Sequence, residues 1–317
     1  MAVYPNIETV KFCEWLLNVS WFKLSSSQLA VVNTVYNAAL VGGSVTDQQY
    51  NNFTLVTSWR YKYYEAYNTG VNYQGDTLTK WLSLLKVQPS ASLISDLNTL
   101  INTLNSDGNL VELDRLWIFG LETEEQALLS LVNPEQGQAS IFGGVTFTPN
   151  SGYSSIGIGN INLNFKPLLD GNNYTQNNAS YGIYNLFNGT NASYCMGVSY
   201  GSLILFIPRN ASNIAQGWIN GNTALSVAST NSQGLFSMYR YNSSNVEMFK
   251  NGVTAGTASV ASVPLTPFNL FTLGVATSGT YFSLGNQAII YFGSSNINPT
   301  TMYSALQTFA TARGFNV

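Results

Sequence analysis

The sequence predicts a chain in two parts: a mainly α region over residues 1–135, then an all-β sandwich of jelly-roll type over residues 136–317 that ends in a short helix. Three observations carry this expectation. Charge changes sign near residue 136, the hydrophobic period changes with it, and turn formers punctuate the second part at short intervals. Up to Glu135 there are 13 acidic and 7 basic residues, net −6; beyond it stand 2 acidic residues, Asp170 and Glu247, and 5 basic ones, net +3. A length of 317 residues suits two domains, each with a core of its own.

In the first part, "SSSQLAVVNTVYNAALVGG" sets serine caps before apolar residues at helical spacing and a Gly-Gly stop after them. "TDQQYNNFTLVTSWRYKYYEAYNTG" repeats the scheme from Thr46 to Gly70. Both predict helices. "SASLISDLNTLINTLNSDG" places Leu93, Leu97, Leu100 and Leu104 at steps of four, three and four, with Ile94 and Ile101 alongside. That spacing fits an amphipathic helix packed within its own domain, or a self-associating helix at an oligomer axis.

In the second part, "SSIGIGNINLNF" alternates at Ile156 and Ile158, then slips by one residue to Ile161, Leu163 and Phe165, which predicts a bulge at Gly159-Asn160. "SLILFIPR", "GLFSMYRYN" and "NQAIIYFGSS" are short runs rich in β-branched and aromatic residues, as strands are. "VEMFKNGVTAGT" and "GWINGNTAL" each carry Asn-Gly, at 251–252 and 220–221. That dipeptide fits a type I′ hairpin, whose two central residues need positive φ. Many short strands without strand-to-helix alternation predict a sandwich or jelly roll. The tail returns to helix, with Pro299 at its start and Gly314 as its stop.

Composition narrows the chemistry. Charged residues make up 9% and apolar ones 45% of the chain. Disorder of the common kind needs low hydrophobicity and high net charge, so the chain is expected to fold compactly. The absence of histidine removes Ser-His-Asp and Cys-His nucleophile pairs and His-ligated zinc. Cys13 and Cys195 are far apart and predict two buried thiols, with neither a disulfide framework nor a thiolate metal site. No cofactor is expected. The opening "MAVYPNIETVKFCEWLLNVSWFKL" lacks a basic leader and is interrupted by Asn18 and Ser20, so no secretory signal is expected. No run reaches the ~18 apolar residues of a membrane helix, and no membrane insertion is expected.

From about Gly143, "GGVTFTPNSGYSSIGIGNINLNFKP", "NNASYGIYN", "VEMFKNGVTAG" and the closing helix together resemble the concanavalin A-like, or laminin G-like, jelly-roll domains of tailed-bacteriophage virion proteins. An aromatic-x-Asn-Gly hairpin like Phe249 to Gly252 recurs in that family. The preceding "LNSDGNLVELDRLWIFGLETEEQALLSLVNP" resembles the helical lead-in of such domains, so the resemblance spans residues 97–317. It implies a structural or adhesive virion component: a head fibre, capsid decoration or tail fibre, homo-oligomeric and commonly trimeric, docked on other virion proteins. It transfers no catalytic or ligand residue. Many relatives bind calcium through acidic loops, but only Asp170 and Glu247 are available here, and calcium wants several oxygen ligands.

Several motifs bear on chemistry. "GVSYG", Gly197 to Gly201, matches the hydrolase elbow with Ser199 as nucleophile, but it lies among strands in a chain without histidine. A turn between strands is expected. "ELD", Glu112 to Asp114, resembles the start of a glycosidase carboxylate motif, whose acid and nucleophile lie ~5 Å apart. It is followed by Arg115, Leu116 and Trp117, reads as helical, and predicts a solvated helix face. "WRYKYYEAY" interleaves aromatic and basic residues as nucleic-acid binders do, yet its surroundings are acidic. Trp59, Tyr63 and Tyr67 are instead expected on one helix face, as core or as a docking surface, and no nucleic-acid partner is expected. Trp218, Tyr194, Tyr200 and Tyr281 are the aromatic candidates for stacking on a sugar ring.

The expectation is therefore a non-enzymatic virion component whose residues 1–135 attach and oligomerise, and whose residues 136–317 project outward and contact host surface glycans. Two rivals stand beside it: a free-standing carbohydrate-binding module or lectin, and a polysaccharide-cleaving enzyme using Asp170 or Glu247.

Overall fold

The computed structural model describes residues 2–3, 7–18, 26–53, 77–136, 138–191, 193–200, 202–275 and 281–317. The chain forms two compact units, Met1–Leu84 and Leu85–Val317. No helix among the described residues is long and apolar enough to cross a membrane.

The first unit contains β1 (Ala2–Val3), α1 (Ile7–Asn18), α2 (Ser26–Leu40), β2 (Val45–Thr46), α3 (47–53) and α4 (Thr77–Leu84). β1 and β2 pair antiparallel. Phe12, Cys13, Val32, Val35, Val45 and Phe53 form its core, with Phe12 and Phe53 meeting edge to face at 6.2 Å. α2 ends as predicted, at Gly42 with φ 62°. The run from Thr46 is helical over 47–53, while Trp59, Tyr63 and Tyr67 lie outside the described residues.

The second unit opens with α5 (Ala91–Ser106), β3 (Leu113–Ile118) and α6 (Glu124–Leu128). Then come β4 (Ser140–Thr148), β5 (Gly152–Asn162), α7 (Pro167–Asp170), β6 (Ala179–Asn185), β7 (Met196–Tyr200), β8 (Ser202–Ile207), β9 (Ile214–Trp218) and β10 (Leu225–Ala228). The chain continues through β11 (Gly234–Arg240), β12 (Asn245–Lys250), β13 (Val253–Ser259), β14 (Phe271–Thr272), β15 (Gly274–Val275), β16 (Tyr281–Phe282), β17 (Leu284–Gly293) and α8 (Pro299–Arg313).

β5 makes these strands into a sandwich because its halves pair differently. Tyr153 to Ile156 lie against β17, whereas Ile161 and Asn162 lie against β14. The front sheet runs β10-β9-β8-β7-β14-β5, and the back sheet runs from β5 through β17, β6, β11 and β12 to β13, with β3 also on β17. The inner faces interlock. The Tyr181 hydroxyl of β6 donates to the carbonyls of Leu205 (2.8 Å) and Trp218 (3.2 Å), and Phe206 meets Phe236 at 5.4 Å. A third layer covers the back sheet. α5 packs on α8, Thr300 of α8 donates to the Gly252 carbonyl (2.9 Å), and the Tyr184 hydroxyl donates to Gln307 (2.5 Å). β6 and β11 are therefore buried along both faces.

Several expectations need correction. The boundary falls at Leu84/Leu85 rather than 135/136. The charge break follows the acidic surface of 85–135, but β3 is a strand of the back sheet, paired with β17 from Ile118↔Ile289 to Leu113↔Gly293. "ELD" is accordingly not a solvated helix face: Leu113, Asp114 and Arg115 are buried. Leu93, Leu97, Leu100 and Leu104 are buried within the unit that holds α8, so they present no seam to another chain. Ile156 and Ile158 face solvent, 75% and 56% exposed, because β5 carries three residues between its pairings with Gly143 and Val145 where β4 carries one. The irregularity thus lies at 156–158, ahead of the predicted Gly159-Asn160.

The two Asn-Gly pairs differ. Asn251 (φ 52°) and Gly252 (φ 75°) join β12 to β13 as the predicted I′ turn. At 220–221 only Asn220 takes positive φ, and residues 219–224 form a longer loop. The reason is the Asn220 amide. It lies buried, accepts from the Tyr174 hydroxyl (2.9 Å) and donates to the carbonyls of Thr175 (3.1 Å) and Gln176 (3.2 Å).

Candidate functional site

The outer face of the front sheet carries the candidate site. In β9, Ala215 and Gly217 point inward, and a Cβ on Gly217 would stand 2.4 Å from the Met238 sulfur. Alternation then turns Trp218 outward. Across the strands its register neighbours are Leu205 (β8), Gly197 (β7), Phe271 (β14), Asn162 (β5) and Ser140 (β4). Gly197 (φ 131°) has no room for a side chain, since a Cβ there would lie 1.7 Å from the Ile204 carbonyl oxygen. The row is aromatic at Trp218 and Phe271, with Leu205 and Gly197 buried between them.

Tyr194 joins Trp218 at one end. Their half-buried rings meet edge to face, 5.5 Å between centroids at 81°. Ahead of β7, the Asn191 N–H donates to the Arg209 carbonyl and the Cys195 N–H to the Phe206 carbonyl, both at 2.8 Å. Asn191, held at the Arg209 end of β8, is 3% exposed, and among the described residues neither atom of its amide has a partner; the buried hydroxyl of Ser193, next to Tyr194 in sequence, has none either. Buried polar groups are nearly always satisfied, so these groups are open to a further partner such as water. Arg209 spends Nη1 on Asn188 Oδ1 (3.2 Å) and the Thr230 carbonyl (2.8 Å), while its Nε has no partner. Two aromatic rings with an unpartnered hydroxyl next in sequence suit a polyhydroxylated ligand with an apolar side.

Of the four aromatic residues predicted for sugar contact, Tyr194 and Trp218 come together. Tyr200 lies in β7 and Tyr281 in β16, and their side chains fall outside what the structure describes. Sequence reasoning missed Asn191, Ser193 and Gly197 as site residues. Asn191 carries no signal of its burial in the sequence.

The carboxylates have separate partners. Asp114 accepts the backbone N–H groups of Asn172 (3.1 Å), Asn173 (3.0 Å) and Tyr174 (2.7 Å), so it holds a loop. Glu112 accepts from Ser294 and Asn296, and Asp170 from the Lys166 N–H at 2.7 Å. Glu247 accepts from the Tyr241 hydroxyl (3.1 Å) and the Thr254 hydroxyl (2.7 Å), and no contact joins it to Asp170 among the described residues. Ser199 stands within β7, paired with Leu203. Arg115 lies over the Phe165 ring at 5.3 Å and donates to the Asp114 carbonyl (2.7 Å) and Gln136 Oε1 (3.0 Å). Burial, more than any neighbouring charge, pushes the Cys195 thiol far up and the Cys13 thiol up to about 12, so both are buried thiols as predicted. Among the described residues no three His, Cys, Asp or Glu side chains gather as metal ligands would.

No protein-family model matches the chain, and no curated protein matches it. Solved structures match in outline. Domain 4 of AbnA, an extracellular arabinanase from Geobacillus stearothermophilus in complex with arabinotriose, is 14% identical at a TM-score of 0.43, over 62% of this chain and 98% of that one. A mutant Trypanosoma rangeli sialidase displaying trans-sialidase activity is 9% identical at 0.44, over 68% of this chain and 39% of that one. The receptor binding domain of botulinum neurotoxin D is 11% identical at 0.39, over 62% of this chain and 53% of that one. None of these likenesses reaches a TM-score of 0.5, and none assigns a ligand or a reaction to this chain.

Proposed function

We propose that the chain is a non-enzymatic adhesive component of a bacteriophage virion, a head fibre, capsid decoration or tail fibre, whose second unit binds host surface glycans through its front sheet. One observation carries the binding half of this reading: the half-buried Tyr194–Trp218 pair on the outer face of the front sheet. The virion half rests on the resemblance of residues 97–317 and on a surface of Asn, Ser, Thr and Gly, which keeps a repeated, outward-facing module soluble without a strong field. Residues 1–84 are the attachment and oligomerisation unit in this reading, since the leucines of α5 are consumed inside the second unit.

Glycan-array binding of the full chain beside W218A and Y194A tests the site. The expected result is a loss of about tenfold or more in affinity, the scale of a lost stacking partner and its bonds. Undiminished binding by both variants overturns the site assignment. Mass spectrometry of density-purified phage particles from a culture that encodes the chain tests the virion role, and its absence from every particle fraction refutes it. Turnover of a polysaccharide by the pure chain, lost on D170N or E247Q, would instead favour an enzyme.

A further inference from the structure

The outer face of the back sheet is covered by helices over β6 and β17, but beyond them, toward the edge strand β13, it opens as a groove of about 420 Å³. Asn245, Glu247, Thr257 and Ser259 of its lining share one face by register, while Val246 and Ala258 between them turn toward the core. Asn245 opposes Ser259 and Glu247 opposes Thr257, while the Tyr241 N–H donates to the Asn245 carbonyl at the hairpin end. Tyr241 is 42% exposed and its ring stacks at 28° on that of Tyr239, 6.0 Å between centroids, so one face of the Tyr241 ring is held against the protein. The volume lies within the usual span of small-ligand sites.

We infer that this groove is a second carbohydrate site, taking one neutral pyranose unit, which rests on the reading of the unit as a glycan-binding module. The chemistry follows from Glu247. A carboxylate accepts about four hydrogen bonds. Tyr241 and Thr254 supply two, and Glu247 has no ion-pair partner among the described residues. The remaining lone pairs call for donors. The side chains of Asn245, Thr257 and Ser259 are exposed and make no hydrogen bond among the described residues, so they can complete bonding to neighbouring hydroxyls. Burial first and Glu247 second push the Tyr241 hydroxyl up, which keeps it the donor of that pair at any ordinary pH. A cationic ligand is disfavoured, because the groove holds a single acid in a stretch that is net positive beyond residue 135. With Trp218 on the outer face of the other sheet, one chain then holds two sugar units on opposite faces, and avidity follows without any new contact within either site.

The test is saturation-transfer NMR of the full chain with the methyl glycosides of glucose, galactose, mannose and N-acetylglucosamine, repeated with N-acetyl-lysine methylamide as the cationic probe. Wild type, W218A, E247Q and Y241A are compared, with W218F and Y241F as milder replacements and circular dichroism to verify folding. The expected result is a glycoside signal that survives in W218A and weakens about tenfold when E247Q is added, the size of one lost charged hydrogen bond. If W218A alone abolishes all glycoside binding, the groove is no sugar site and the front-sheet reading stands. If E247Q or Y241A abolishes it and W218A does not, the groove is the sugar site and the front-sheet assignment falls. No glycoside binding by wild type overturns both, and binding of the lysine probe in place of the glycosides overturns the neutral-ligand inference.

Discussion

At the residue scale, glycine and asparagine do most of the shaping. Gly197 and Gly157 both have positive φ, 131° and 88°, but their surroundings differ. A Cβ on Gly197 would stand 1.7 Å from the Ile204 carbonyl oxygen, whereas one on Gly157 would meet nothing within 4 Å. G197A is therefore expected to destabilise by about 3 kcal/mol or more, from left-handed strain plus overpacking against backbone, and G157A by only about 1 kcal/mol. Urea denaturation of the two variants side by side measures this, and equal losses would refute it. Asparagine explains what a sequence can and cannot announce. Asn251-Gly252 declares its turn because a two-residue hairpin needs nothing beyond its own φ angles. The same dipeptide at 220–221 misleads because its conformation answers to Tyr174, Thr175 and Gln176, far off in sequence. Tyr194 and Trp218 are legible as sugar-contact candidates by type, while the orphaned amide of Asn191 depends on tertiary packing that no local pattern encodes.

At the scale of elements, α5 shows how far periodicity reaches. Its leucine spacing identifies the buried face, but not that α8 covers it. The helix is capped by Ser90, whose hydroxyl accepts the Leu93 N–H (3.1 Å) and donates to Glu122, while Arg313 at the end of α8 bridges Asp96 and Glu122 at 3.3 Å each. S90A removes both bonds and is expected to cost about 1 kcal/mol, read from the thermal midpoint. Burial alone would raise the Glu122 carboxyl, but hydrogen bonds from Ser90 and the Arg313 guanidinium outweigh it and hold the group below its ordinary 4.5. A depressed folded pKa contributes stability that is fully present above the unfolded value and is lost as pH falls through the folded one. The second unit should thus lose stability on acidification below about pH 4.5. E122Q should be less stable at neutral pH and flatter across that window, and a denaturation series in which it keeps the wild-type acid slope would exclude this origin. β3 is opaque in the sequence for a complementary reason: buried along its whole length, "LDRLWI" has no polar face to set a period.

At the scale of the whole molecule, the boundary at Leu84/Leu85 makes a sharp prediction. Residues 85–317 are expected to fold alone and unfold in one cooperative step, whereas 136–317 lacks β3, the core residue Trp117 and α5 with its leucines, and is expected to be aggregated or unfolded on a sizing column. Light scattering on the full chain beside 85–317 then reads the role of the first unit: a trimer that becomes a monomer supports it as the assembly unit, and the same number of copies in both refutes that role. The antiparallel pairing of β3 with β17 has a mechanical consequence. Because Leu113 faces Gly293, the chain enters and leaves the sandwich at the same end of the back sheet. Tension applied between those two points would peel the strands apart one rung at a time instead of shearing all rungs together. The clasp of Arg313 on Asp96 and Glu122, which joins α8 to α5 and to the loop after β3, lies outside that ladder and would have to slip before the first rung could open.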